Sequence, residues 1–152
     1  MNDARTLIIT SGYFDPLHVG HVECFSIAKS LGDFHIVIIN NDLQSAVKKT
    51  KTLNKPIVMM PAKERGVIIK EMRSVDDVFV SIDEDTTVCK SIEYIYNMYK
   101  DHYQRVIFAK GGDRFAHEIP ETILCKFLGI EIKDGLGMKI QSSSEMIGNL
   151  AM

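Results

Sequence analysis

The hydrophobic positions of this chain fall into short continuous runs that are separated by longer amphipathic segments. The runs are rich in Ile and Val. Because successive positions are apolar, they are typical of strands buried on both faces of a parallel sheet. They predict strands at 6–10, 35–39, 77–82, 105–110 and 130–133.

The segments between these runs carry apolar residues at helical spacing. The first of them ends at Gly32, which suits a helix C-cap, and Pro61 suits the first turn of another helix. A late serine run followed by Glu145 is an N-cap signature. The pattern predicts helices at 19–32, 61–75, 86–103, 120–129 and 142–150.

This alternation of strands and helices predicts one α/β domain over residues 1–152, with a doubly wound, mostly parallel five-stranded sheet of Rossmann-like type. Ligands of such folds bind beyond the carboxyl ends of the strands. We therefore expect a site just after the first strand. The segment 41–60 fits the pattern least, because it mixes a possible short helix with a lysine-bearing loop.

Composition narrows the class of protein. The formal net charge of −2 gives no global basic field, so nucleic acid and membrane partners are not expected, and an anionic ligand needs a local site. The three cysteines, Cys24, Cys89 and Cys125, are odd in number and far apart, which argues against a disulfide framework. No apolar run approaches the roughly 18 residues that span a bilayer. We expect a cytoplasmic protein.

The stretch T-S-G-Y-F-D-P-L-H-V-G-H follows the first strand and carries the candidate chemistry. His18 and His21 are three residues apart and share a face at the start of a helix, where free backbone N–H groups and the helix dipole attract anions. Gly20 lets a phosphate approach the backbone. A structural role for the two histidines is the alternative. A zinc site needs further ligands, and the other histidines are scattered. The pattern favours a phosphate cradle.

The residues before the histidines have predicted roles in shaping this loop. Gly12 permits a tight turn out of the strand, and Phe14 packs beneath the turn. Asp15 is expected to accept hydrogen bonds from backbone N–H groups and thereby to fix the conformation of the loop.

The sequence G-Y-F-D-P-L-H-V-G-H resembles the G-x-F-D-x-x-H-x-G-H signature of the nucleotidyltransferase superfamily that includes the cytidylyltransferases and phosphopantetheine adenylyltransferase. The serine run at 142–144 is similar to the Ser-Ser-Thr signature near a late helix, and the resemblance extends over about residues 7–147. D-E-D-T-T-V and A-K-G-G-D-R-F resemble the adenylyltransferase domain of ADP-heptose synthase, and the segment around Arg65 is also similar to glycerol-3-phosphate cytidylyltransferase. Ile147 departs from the Arg or Lys that is frequent in the wider family, which favours the heptose-like branch.

The resemblance implies transfer of a nucleotidyl group from ATP or CTP to a sugar phosphate or polyol phosphate, with release of pyrophosphate. Its lead is an adenylyltransferase for heptose 1-phosphate. The alternatives are a cytidylyltransferase of the glycerol-3-phosphate type and a non-catalytic nucleotide-binding module of the same fold. The resemblance also implies Mg²⁺, bound with the nucleoside triphosphate, and a homodimer or larger assembly.

The resemblance further implies the residues that carry these roles. His18, His21 and Lys51 are the expected catalytic residues, with Lys49 as a helper. For Arg65 a surface position, a nucleotide contact and a brace for the loop all remain open. No protein ligand to a metal is expected. The expected nucleotide-binding residues are Gly12, Tyr13, Phe14, Asp15, Gly20, Arg65, Gly111, Gly112, Asp113, Ser142, Ser143 and Ser144.

Overall fold

The computed structural model describes residues 5–111 and 120–136 of the chain. These residues form a five-stranded parallel sheet with the strand order β3-β2-β1-β4-β5. The strands are β1 (Thr6–Gly12), β2 (Phe34–Ile39), β3 (Asp77–Val80), β4 (Arg105–Ala109) and β5 (Glu131–Lys133). The helices are α1 (Val19–Ser30), α2 (Asp42–Leu53), α3 (Ala62–Lys70), α4 (Cys89–Tyr99) and α5 (Pro120–Leu128). The predicted α/β fold is confirmed, and the helix predicted at 142–150 lies outside the described residues.

The central strands β1, β2 and β4 are mostly buried on both faces, as their continuous apolar runs predicted, whereas the edge strands β3 and β5 are more exposed than predicted. Leu7 and Ile9 of β1 pack with residues of α4 and α5, whereas Ile8 between them packs with α1 on the other face. The strand order reverses between β1 and β4, which places a crevice beyond the carboxyl ends of these two strands. No helix within residues 5–111 and 120–136 has the length and apolar character needed to cross a membrane.

Helix α2 confirms the short helix predicted within the segment 41–60 but corrects the position of the lysines, which were expected on a loop. Its start is fixed by a capping box, in which the Asn41 side chain accepts from the Gln44 backbone N–H at 2.9 Å and the Gln44 side chain accepts from the Asn41 N–H at 3.0 Å. Its end is set by Asn54, which has the left-handed φ of 59°. The lysines of this segment up to residue 51 therefore lie on a helix.

Gly32 is not the C-cap that the sequence predicted, because α1 already ends at Ser30. A Cβ atom on Gly32 would lie 2.7 Å from Ile8 Cγ1 and 2.9 Å from the Thr6 carbonyl oxygen. The glycine is required where the chain passes close to β1. A glycine in the left-handed conformation typical of a helix C-terminus is found at the end of a different helix, α5, where Gly129 has a φ of 80°.

His35 of β2 is a buried packing residue, and it joins two neighbouring segments inside the fold. Its Nδ1 lies 2.7 Å from the Ser74 carbonyl oxygen, and its Nε2 lies 2.8 Å from Thr10 Oγ1. Since a carbonyl oxygen only accepts, Nδ1 carries the proton and Nε2 accepts from the Thr10 hydroxyl. The neutral imidazole therefore satisfies both contacts.

This burial predicts a loss of stability in acid. Burial lowers the pKa of His35, although the bond to Ser74 and the charge of Asp76 oppose that shift. The unfolded chain therefore binds more protons, so the stabilisation is complete above the unfolded pKa of about 6.5 and declines as the pH falls below it. We expect the difference in Tm between pH roughly 7.5 and 5 to shrink in His35→Gln. The exposed His102→Gln is the control, and an unchanged pH dependence in His35→Gln would contradict this assignment.

Candidate functional site

The two histidines of the signature form the N-terminal cap of α1. His18 is the N-cap residue, and its Nδ1 accepts from the Gly20 backbone N–H at 3.1 Å. The Nδ1 of His21 accepts from the His18 backbone N–H, also at 3.1 Å. The two rings are stacked, with their centroids 3.7 Å apart. Because Nδ1 accepts in both rings, each neutral imidazole carries its proton on Nε2 and offers that N–H as a donor.

The electrostatics of the cap favour a neutral His21 ring. Burial is the largest cause that lowers the pKa of His21 to about 3, and the positive charge of Lys48 adds to it. His21 is therefore uncharged at neutral pH. The structure also modifies the predicted anion site, since the backbone N–H groups of His18 and Gly20 are already bonded to the rings. In this state the helix start presents imidazole donors in place of these two backbone donors.

Phe14 supports the cap from below, as predicted. Its ring makes edge contacts with the rings of His21, at 4.9 Å, and of Phe25, at 5.2 Å between centroids. Phe14 has a φ of 56°, and its ring folds back over Gly12, where a Cβ atom would lie 2.6 Å from Phe14 Cζ. Gly12 thus gives Phe14 the room to fix one side of His21.

Asp15 anchors the loop, and it does more than the sequence predicted. It is 1% exposed, and its carboxylate accepts from the backbone N–H groups of Met59, at 3.1 Å, and Met60, at 2.6 Å. It also accepts from Ser45 Oγ at 2.8 Å and from Lys49 Nζ at 2.6 Å. Burial alone would raise the pKa of Asp15, but the hydrogen bonds from Lys49, Ser45 and Met59 hold it below its ordinary value. The structure thus gives Asp15 and Lys49 a structural role as a buried ion pair.

Arg65 is a brace, which was one of the three roles left open. Its side chain is fully buried and donates to the carbonyl oxygens of Tyr13, Asn40 and Met60 at 2.6–2.7 Å. It also pairs with Asp42 at 2.8 Å. These bonds tie the loop after β1 to the end of β2 and to the start of α2.

Lys48 is the lysine that the structure brings to the histidines, and the sequence prediction did not include it. Its Nζ lies 4.2 Å from the centroid of the Tyr13 ring, and its charge contributes to the low pKa of His21. Lys51 lies in the last turn of α2 and is exposed. The capping box at Asn41 was the available signal, because it sets the phase of α2 and hence which lysine faces the loop after β1.

The end of β4 lies against the same helix. A Cβ atom on Gly111 would lie 2.9 Å from Sγ of Cys24, which is one turn after His21 in α1. The structure thus brings the chain after β4 beside the helix of the two histidines. The remaining predicted site residues, Gly112, Asp113, Ser142, Ser143 and Ser144, lie outside the described residues, as does Ile147.

Comparison with known proteins agrees with the signature. A family model described as cytidylyltransferase-like matches residues 9–144. The bifunctional protein HldE of Syntrophotalea carbinolica is 34% identical over 124 residues, which cover 82% of this chain but 22% of that protein. The FAD synthase of Pyrococcus horikoshii is 39% identical over 79 residues, which cover 52% of this chain and 50% of that protein. The chain thus spans about a fifth of the bifunctional relative.

A solved structure shows the same fold. It is the crystal structure of the lipopolysaccharide core biosynthesis protein from Thermoplasma volcanium, with a TM-score of 0.58 at 22% sequence identity. The match covers 91% of this chain and 98% of that one.

Proposed function

Because the chain belongs to the cytidylyltransferase-like family of nucleotidyltransferases, we propose that it transfers a nucleotidyl group from ATP or CTP to a sugar phosphate or polyol phosphate. The lead reaction is adenylyl transfer to a heptose 1-phosphate. The observation that carries the proposal is the pair of stacked imidazoles at the start of α1, each of which accepts a backbone N–H at Nδ1 and so carries its proton on Nε2.

The chemistry needs donors and positive charge more than it needs a base. An oxygen of the acceptor phosphate attacks the α-phosphorus, the bond from that phosphorus to the bridging oxygen breaks, and pyrophosphate leaves. The attacking oxygen is already anionic, so no proton has to be removed from it. The barrier lies in the negative charge that accumulates around the α-phosphorus, and fixed donors lower it. Neutral Nε2–H groups on His18 and His21 supply such donors.

Lys48 supplies the charge in this proposal. Its ammonium lies over the Tyr13 ring of the loop after β1, and the residue is only partly buried, which leaves it accessible to a triphosphate. Lys49 is committed to Asp15, and Arg65 is committed to backbone carbonyls. This division separates the cation that meets the ligand from the cations that hold the loop.

Magnesium enters the proposal as a partner of the triphosphate. Within the described part of the chain, no group of three His, Cys, Asp or Glu residues is arranged to hold a metal ion. Asp15 is the acidic residue of the signature loop, and its carboxylate is already occupied by Lys49 and three other donors. In this proposal phosphate oxygens and water are the ligands of the ion, as is usual for Mg²⁺ bound with nucleotides.

The choice of adenylyl transfer rests on sequence likeness. The stretches 83–88 and 109–115 resemble the adenylyltransferase domain of ADP-heptose synthase, and the HldE relative covers most of this chain. Cytidylyl transfer to a polyol phosphate is the alternative within the family. We also propose that the chain acts in the cytoplasm as a homodimer or larger assembly, which a monomeric mass in solution at micromolar concentration would contradict.

The test is release of pyrophosphate from ATP and CTP, each paired with heptose 1-phosphate, glycerol 3-phosphate and their dephosphorylated forms. We expect turnover with ATP and heptose 1-phosphate and none with the dephosphorylated acceptors. Turnover that occurs only with a non-phosphorylated acceptor would overturn the proposal. Tight triphosphate binding without turnover of any pair would identify a nucleotide-binding module instead.

The two lysines of α2 give a matched comparison. Lys48→Met should lower kcat/KM by about 10–100-fold, because a hydrogen bond to a charged group contributes about 1.5–3 kcal/mol. Lys51→Met removes the same charge from an exposed position and should change kcat/KM much less. Steady-state kinetics on both variants decide between Lys51, which the resemblance implied, and Lys48, which lies over the Tyr13 ring. A large loss in Lys51→Met with a normal Lys48→Met would reverse our assignment.

A further inference from the structure

Lys110 is a buried cation that has no role in the histidine cap of α1. It is also separate from Asp15, Lys49 and Arg65, which hold the loop after β1. It follows β4 directly, and its backbone is held by bonds to the Lys133 carbonyl, at 2.8 Å, and from the Leu136 N–H, at 3.1 Å. Side chains alternate along a strand, so Lys110 faces the same side of the sheet as Phe108, the side that α4 and α5 cover. It therefore lies at the carboxyl edge of the sheet, across from the side that α1 covers.

The ammonium of Lys110 lacks a hydrogen-bond partner among the described residues. The side chain is 9% exposed, its Nζ is fully buried, and among the described residues the carboxylate paired with it is Asp134, whose Oδ1 is 3.6 Å away. That distance is too long for a hydrogen bond. A buried ammonium with one long ion pair and no hydrogen bond is costly, so its position calls for a further anionic partner at hydrogen-bond distance.

A second polar atom on this side of the sheet is also unsatisfied. Thr122 Oγ1, in the first turn of α5, is buried and has no hydrogen-bond partner among the described residues. Cys125 follows one turn later on the same face of α5, and the charge of Lys110 reaches it. Burial raises the pKa of Cys125 to about 12, and the Lys110 ammonium opposes that shift. Two unsatisfied donors thus border the end of β4 and the start of α5.

We propose that Lys110, assisted by the Thr122 hydroxyl, is an anion-binding subsite that receives a phosphate group at the carboxyl edge of the sheet. This inference rests on the proposed function in one respect only, the source of that phosphate. In-line transfer requires the attacking oxygen and the leaving pyrophosphate to lie on opposite sides of the α-phosphorus. The histidines and Lys48 lie on the α1 and α2 side, where they suit the triphosphate. Lys110 lies toward α4 and α5 and suits the phosphate of the acceptor.

The subsite is tested first by binding, without turnover. The ³¹P line width of inorganic phosphate is titrated against the parent protein, Lys110→Met and Lys126→Met, with excess pyrophosphate present to fill the histidine cap. We expect phosphate binding by the parent and by Lys126→Met, whose lysine is exposed on α5, and a loss of about tenfold or more in Lys110→Met. Because Met removes a buried charge, the Tm of Lys110→Met should stay level or rise. Phosphate binding by Lys110→Met at the parent affinity would overturn the proposal.

The source of the phosphate is then read from kinetics. If the acceptor supplies it, the KM of the acceptor rises by about tenfold or more in Lys110→Met while the KM of the triphosphate stays within about twofold. If the triphosphate supplies it, the KM of the triphosphate rises instead and the KM of the acceptor stays within about twofold. The subsite is then confirmed as a site for a phosphate of the triphosphate. Unchanged values of both constants would refute the subsite while leaving the proposed transfer intact. If the parent protein turns over no substrate pair but phosphate binding is still lost in Lys110→Met, the proposed transfer is refuted and the subsite is not.

An ion pair with Asp134 is the competing role for Lys110, and a further variant separates the two. If Lys110 only holds Asp134, Asp134→Asn should reproduce the phosphate binding and kinetics of Lys110→Met, which would overturn the proposal. If Lys110 binds phosphate, removing the neighbouring negative charge should leave phosphate affinity equal to that of the parent or strengthen it.

Discussion

Replacing His21 with alanine is expected to lower kcat by about 10²–10³-fold, the usual cost of losing one donor to charge that develops in a transition state. His18→Ala should show a loss of the same order. The affinity for triphosphate should fall less than the rate, because the donors bind the α-phosphorus oxygens more strongly as charge accumulates there. Single-turnover kinetics and triphosphate binding, measured on the same variants, separate the two effects.

The neutral state of His21 sharpens this prediction. Its pKa of about 3 means that an uncharged N–H donor acts at neutral pH, so His21→Gln should recover part of the lost rate. Between pH roughly 5 and 8 the titration of His21 should add no step to the kcat profile, since the group stays uncharged throughout. His102→Ala at an exposed position is the control. Both alanine variants turning over at the parent rate, or a lowered Tm with normal kcat, would show that the histidines are only structural.

The second large effect is expected at Asp15, on stability. Asp15→Ala removes one partner of a buried pair and leaves the Lys49 ammonium in the interior, at 3% exposure. Breaking a buried pair in this way costs about 3–5 kcal/mol, and we expect denaturant unfolding to report a loss of that size. Asp77→Ala is the matched control, because its pair with Lys70 is about half exposed and should cost no more than about 1 kcal/mol.

A double variant identifies the cause of that loss. Asp15→Ala combined with Lys49→Met removes both charges, so it should recover part of the stability that Asp15→Ala alone loses. If stability does not recover, the loss in Asp15→Ala comes from the hydrogen bonds that Asp15 accepts from the backbone N–H groups of Met59 and Met60, and not from the ion pair.

The sequence was sufficient for the parts of the structure that depend on local pattern. The Ile- and Val-rich runs predicted the strands, and the spacing of His18 and His21 predicted one helix face, because periodicity and helix geometry are local properties. The start of α2 is also a local property, because Asn41 and Gln44 have the spacing of a capping box. Gly32 was misread because its reason is the approach of β1, which is distant in sequence.

The assignment of the charged residues depended on contacts that the sequence does not contain. Lys48, Lys49 and Lys51 cannot be distinguished by residue type or by position in the sequence. In the structure Lys48 contacts Tyr13, Lys49 is buried against Asp15, and Lys51 is exposed. Their separation follows from the phase of α2 against the loop after β1. Arg65 was ambiguous for the same reason, since its partners lie 5 to 52 residues away along the chain.

At the N-cap of α1, the residue that would give the most stable helix differs from the residue that the proposed reaction needs. Ser, Asn and Asp are the side chains that cap a helix best, and position 18 holds a histidine instead. Its Nδ1 accepts the capping bond, which places the ring proton on Nε2, so the cap itself selects the tautomer. A better cap at this position would strengthen the helix while removing a donor. Stabilising designs based on this chain therefore have to leave residue 18 unimproved.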